Sequence, residues 1–131
     1  MLRPDISKAI SLVPPNISEQ IETSCTSCLE LVNAHLPADE TVVNISSASP
    51  QKDGQINSLL VLTDRRLIFV APAPQALGWR LTTITKAQSY IGYFFVNANG
   101  GEYSLGLQDE WGSVFEGYVK QAIALAVLAD R

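Results

Sequence analysis

Few side chains in this chain could do chemistry. Cys25 and Cys28 are its two cysteines, set three apart, and His35, its one histidine, follows two helical turns on. That spacing could make a redox dithiol or half of a metal site. A reactive dithiol draws its thiolate character from a helix N-terminus, whereas the pattern here sets both cysteines mid-helix on an apolar face, where cysteine acts as a small hydrophobe. Without a second pair, neither a four-ligand zinc site nor a secreted disulfide framework can be assembled within the chain, which leaves a partial metal site shared across a dimer as the metal alternative. No Ser, Cys or carboxylate motif marks a triad around His35, and Gly100-Gly101 lacks the Lys-Ser/Thr and following helix of a phosphate loop. The expectation is therefore a protein that is not an enzyme, with no cofactor and no metal.

The totals narrow the remaining classes. With 131 residues, 47% of them hydrophobic, the chain fills one domain and would starve a second of core. The net charge of −4 disfavours nucleic acid and anionic lipid. No apolar run reaches the roughly 18 residues of a membrane span, and MLRPDISKAISLVPP makes a poor signal peptide, so a reducing cytoplasm is the expected location.

The elements that must position these residues follow from periodicity. Residues 1–15 read as an arm, loose or docked in extended form, that ends at Pro14-Pro15. Asn16 with Glu19 makes a capping box for an amphipathic helix spanning 16–37, stopped at Pro37, with Ile17, Ile21, Cys25, Cys28, Val32 and His35 on one face. From Thr41 the period becomes extended: TVVNISSA forms a first strand, and SPQKDGQ a loop. Residues 56–63 and 67–71 then pair antiparallel across Thr63-Asp64-Arg65-Arg66, a type I turn with an adjoining bulge. PAPQALG breaks the chain before short strands at 79–82 and 87–91. Two better strands, 93–97 and 102–107, flank the Asn97–Gly101 hairpin signal. Asp109 caps a last helix with Trp111, Val114, Phe115, Tyr118, Val119 and Ala122 on its inner stripe. Its end, AIALAVLA, has no polar face, so both sides of it should be covered.

Leu62-Thr63-Asp64-Arg65-Arg66-Leu67-Ile68-Phe69, set in this order of elements with Phe115 in the closing helix, resembles the bacterial pleckstrin-homology-like domains. The resemblance covers about 41–129. It implies an α+β, mainly β fold: a seven-stranded bent-sheet barrel capped by a C-terminal helix, to which the N-terminal helix is an addition. It also implies that the loops around Lys52 and 72–78 emerge at one end, with Lys52, Trp79 and Arg80 within reach of one another as a binding site. Phosphoinositide-binding relatives line that first loop with several bases, and Lys52 stands alone beside Asp53.

Three functions compete. The first is a protein-interaction or assembly module, with self-association or a protein partner engaged through Ile123, Leu125, Val127 and Leu128. The second is a peripheral membrane module, disfavoured by charge. The third is a thiol- or metal-dependent sensor using Cys25 and Cys28.

Overall fold

Strands form most readily where β-branched and aromatic residues run together, as in VVNISSA, RLIFVA and YFFVNA. The computed structural model describes residues 1–51, 54–72 and 75–129, apart from the Asp109 side chain. Three helices lead: α1 (Pro4–Ser11), α2 (Pro15–Ser24) and α3 (Thr26–His35). There follow β1 (Val42–Ala48), β2 (Ser58–Thr63), β3 (Arg66–Ala71), β4 (Gln75–Arg80), a 3-10 turn (Leu81–Thr83), β5 (Ile84–Tyr90), β6 (Tyr93–Ala98), β7 (Gly101–Gly106) and α4 (Asp109–Ala129).

The strands make two antiparallel sheets, β1-β2-β3-β4 and β5-β6-β7. One corner is closed by paired backbone hydrogen bonds between Ser49 and Gly106. Glycine is required at 106, because a Cβ there would collide with Ser49 Oγ and the backbone oxygen of Gln51. The seven-stranded bent-sheet architecture expected from the sequence is present, with α4 packed against β5 and the 3-10 turn.

Both faces of β2 are dry. All six residues of SLLVLT are buried, although alternate side chains point to opposite sides of the sheet. One side faces the barrel interior, where Trp79, Phe94 and Phe115 are fully buried. The other needs a lid, and the N-terminal helices supply it: α1 and α2 pack on β1, and α3 crosses β2 and β3. Ile6, Ile17 and Ile21 join the same core cluster as the strands.

This corrects the reading of the N-terminus. Residues 4–11 are helical rather than extended, since Pro4 at the first turn is a favourable helix start and Ile6, Ala9 and Ile10 form a buried stripe. The single helix over 16–37 is two, broken at Cys25 (φ −116°, ψ 20°). Pro15 opens α2, so Asn16 lies inside it and its amide donates to Gln108 Oε1 at 2.7 Å instead of capping. The β4 boundary also differs: Gln75 to Gly78, expected as loop, pair in register with β3. The cap expected of Asp109 concerns a side chain outside those described.

Turn chemistry divides the hairpins. Asn99 and Gly100 take left-handed φ of 54° and 78°, as the sequence signal demands. The turn after Thr63 has no left-handed residue; Thr63 Oγ1 holds it by accepting the backbone N–H groups of Arg65 and Arg66. Residue 91, expected at the end of a strand, is instead at a two-residue turn, with Ile91 at φ 44° and Gly92 at 81°. A β-branched residue there is strained, and Ile91 is exposed with no burial to compensate. Ile91→Asn should therefore raise unfolding stability by about 0.5–1.5 kcal/mol, read from the urea midpoint at unchanged slope; an equal or lower midpoint would contradict the strain.

Candidate functional site

Helix α4 carries a run of exposed large apolar side chains, Val114, Tyr118, Leu125, Val127 and Leu128. Trp111, Phe115, Val119 and Ala122 are buried against the sheets, with the Phe115 ring edge-on to Phe94 at 5.8 Å. Val114 and Tyr118, expected on that inner stripe, are instead 47% and 41% exposed. The apolar arc of the helix is wider than the groove that receives it. The expected interface residues divide in the same way: Ile123 is partly buried against the core, whereas Leu125 and Leu128 are 60% and 65% exposed and Val127 is also open. The AIALAVLA end thus has one covered side, not two.

Beside it lies a cleft of about 620 Å³ lined by Pro37, Glu40, Arg65, Arg66, Arg80 and Ala126, among others. Arg80 is here because β4 runs antiparallel to β3 and pairs it with Arg66. Leu81 N–H then donates to Arg65 O, tying the strand end to the β2–β3 turn. Arg66 makes a two-pronged ion pair with Glu40, Nε to Oε2 at 3.0 Å and Nη2 to Oε1 at 2.8 Å, and Thr63 Oγ1 donates to Oε2 at 2.6 Å. Burial pushes the Glu40 carboxyl up, but these hydrogen bonds and the charges of Arg66 and Arg65 outweigh it, so the group lies below the ordinary glutamate range. Arg65 pairs with the exposed Asp39, at 3.2 Å.

Of the expected grouping of Lys52, Trp79 and Arg80, two residues can be placed. Lys52 lies outside the described residues. Trp79 is 2% exposed and packs on Tyr103 with ring centroids 5.0 Å apart, so it is a core aromatic. Arg80 ends β4 beside the β2–β3 turn, away from the start of β2 where the first loop arrives. Gln75 to Gly78, the last four residues of PAPQALG, belong to β4, which carries Trp79 and Arg80 toward the β2–β3 turn.

The cysteines are pinned rather than poised. Cys25 Sγ donates to Ser58 O at 3.2 Å and Cys28 Sγ to Asn57 O at 3.4 Å, fastening the α2–α3 joint to the start of β2. Burial, and then the neighbouring Cys28, push the Cys25 thiol up to about 12; burial also raises Cys28. His35, expected on their face, is exposed at the end of α3. Among the described residues, no three His, Cys, Asp or Glu side chains converge as metal ligands.

Sequence reasoning missed Tyr90 and Ile91, exposed at 59% and 51% at the β5–β6 tip. The Gly92 after Ile91 was the available signal, and β-branching at 91 masked it.

Set against solved structures, the chain is similar to the Vps36 N-terminal PH domain, with a TM-score of 0.55 and 17% identity over 71% of this chain and 86% of that one. The fold is that of a pleckstrin-homology domain. At that identity the likeness speaks for the PH-like architecture alone. No family model matches, and no curated protein matches. Among the described residues no helix is long and apolar enough to cross a membrane.

Two outcomes follow for this PH-like domain. Glu40, Asp5 and Glu116 are all held below their ordinary carboxylate values. Such groups stabilise fully above the unfolded value and lose that contribution as pH falls through the folded one. Stability should be level near neutrality and fall below about pH 4.5, the ordinary glutamate value. Glu40→Gln, which leaves Arg66 unpaired, should cost about 2–4 kcal/mol at neutral pH, allowing for the partly open arginine, and shrink the acid-side fall. Denaturant melts across pH measure both. The thiols should resist a chromogenic disulfide reagent in the native state at mildly alkaline pH and react together in denaturant; rapid native labelling of either would show an accessible thiolate.

Proposed function

We propose that this chain is a non-catalytic protein-interaction or assembly module of PH-like fold, of the bacterial kind implied by Leu62–Phe69 and at work in a reducing cytoplasm. The observation that carries this reading is the open end of α4, where Leu125 and Leu128 are 60% and 65% exposed in a helix whose other side is docked through Trp111, Phe115 and Val119. Large apolar side chains contiguous on one helix face are unfavourable in water and favourable in a protein interface. The basic residues near them are partly spent already, since Arg66 is held by Glu40 and Arg65 by Asp39. With a net charge of −4, this weakens the competing anionic-membrane reading.

The test is affinity capture from extract of the native cells with wild-type protein and with Leu125→Asp/Leu128→Asp, alongside co-sedimentation with phosphatidylserine vesicles. Wild type should retain a defined partner, a copy of this chain or another protein, that the variant loses, with circular dichroism unchanged because both leucines are exposed, and neither form should pellet. Identical captured sets, or vesicle binding by both forms, would overturn the reading.

A further inference from the structure

Helix α4 carries two apolar stripes, and each has its own spacing. The inner one, Trp111, Phe115, Val119, Ala122 and Ala126, is covered by the sheets. The outer one is Val114, Tyr118, Gln121, Leu125 and Leu128, with steps of four, three, four and three residues, all of it exposed. Alternating steps of three and four are what one helix presents to another in a knobs-into-holes seam. A helix that merely lies on a sheet needs one stripe. At about 100° per residue, the outer stripe centres roughly a quarter turn from the inner one, so a second helix can lie alongside α4 without displacing it from the barrel.

The outer stripe is complementary to itself. Counted from Gln121, Val114 and Leu128 lie seven residues to either side, and Tyr118 and Leu125 three and four. Two antiparallel copies related by a twofold axis at Gln121 set Val114 against Leu128 and Tyr118 against Leu125 of the other copy. On the flank away from the barrel, Gly117 meets Ala124, two small residues that let helix axes approach to about 8 Å. A Cβ at Gly117 would touch nothing within 4 Å, so that space is open. Each Gln121 amide carries donor and acceptor and can satisfy its copy on the axis, where a charged residue would repel itself. Lys120 and Glu116 pair with each other at 3.0 Å on another side of the helix, off the seam.

We infer that the partner of this surface is a second copy of the chain, bound through antiparallel α4 helices that cross at Gln121. The inference rests on the interaction-module reading and names its partner. An isologous pair of this kind is closed, so the assembly stops at a dimer.

Sedimentation velocity over a concentration series, with cysteine cross-linking under mild oxidation, tests it. Wild type should form a dimer at tens of micromolar. Gln121→Cys should give a covalent dimer, and Lys120→Cys, which points off the seam, should give far less. Gly117→Leu fills space that is empty in the monomer, so it should leave thermal stability equal or higher while weakening dimerisation by at least about tenfold. A monomer at every concentration, equal cross-linking at 120 and 121, or an undiminished Gly117→Leu dimer would each overturn the inference. A monomer that still captures other proteins through Leu125 and Leu128 would overturn this inference alone and leave the interaction-module reading standing.

Discussion

A strand that is apolar on both faces has to be sandwiched, and β2 imposes that constraint on everything around it. Residues 59–62 are fully buried, two to each side of the sheet. At about 25 cal/mol per Å² of apolar surface kept from water, leaving either side open would remove several kcal/mol from a marginally stable domain. The barrel closed by α4 dries one side, and α1 to α3 dry the other. The N-terminal helices are thus a structural half of the sandwich.

Polar contacts fix where the lid sits. The Arg3 guanidinium donates to the carbonyls of Leu36, Pro37 and Glu40, occupying the open end of α3, and pairs with Asp5. Asp5 in turn accepts Val42 N–H at 2.8 Å, joining α1 to the first strand. Two residues before Val42, the Glu40 carboxylate takes Arg66 and Thr63 of the β2–β3 turn. One short stretch therefore ties the helical lid to the central hairpin, and hydrophobic burial supplies the energy while these directional contacts supply the register.

Burial is incomplete along one side of α4. The groove between the sheets and the 3-10 turn is wide enough for one stripe of α4, and the helix brings two. The surplus is concentrated in Val114, Tyr118, Leu125 and Leu128, beside a cleft whose arginines are largely engaged by Glu40 and Asp39. The two thiols, by contrast, are deeply buried, and the lone histidine is left exposed at a helix end.

The amino-acid order by itself determined the hairpins and their sequence along the chain. Leu59 to Thr63 and Leu67 to Ala71 are apolar runs around a turn that Thr63 can hold, and Asn99-Gly100 can adopt the left-handed angles a tight hairpin needs. These are local properties, set by side-chain branching and backbone freedom, so they are legible without neighbours. The unfaced end of α4 was legible for the same reason, as composition at helical spacing. Only the tertiary structure decided that residues 4–11 are helical, that the second helix breaks at Cys25, that Trp79 turns inward and Arg80 ends beside Arg66, and that Ile91 accepts a strained turn. Each of these depends on partners distant in sequence: burial across the sheet fixes the helices and Trp79, and strand pairing fixes Arg80 and the exposed Ile91.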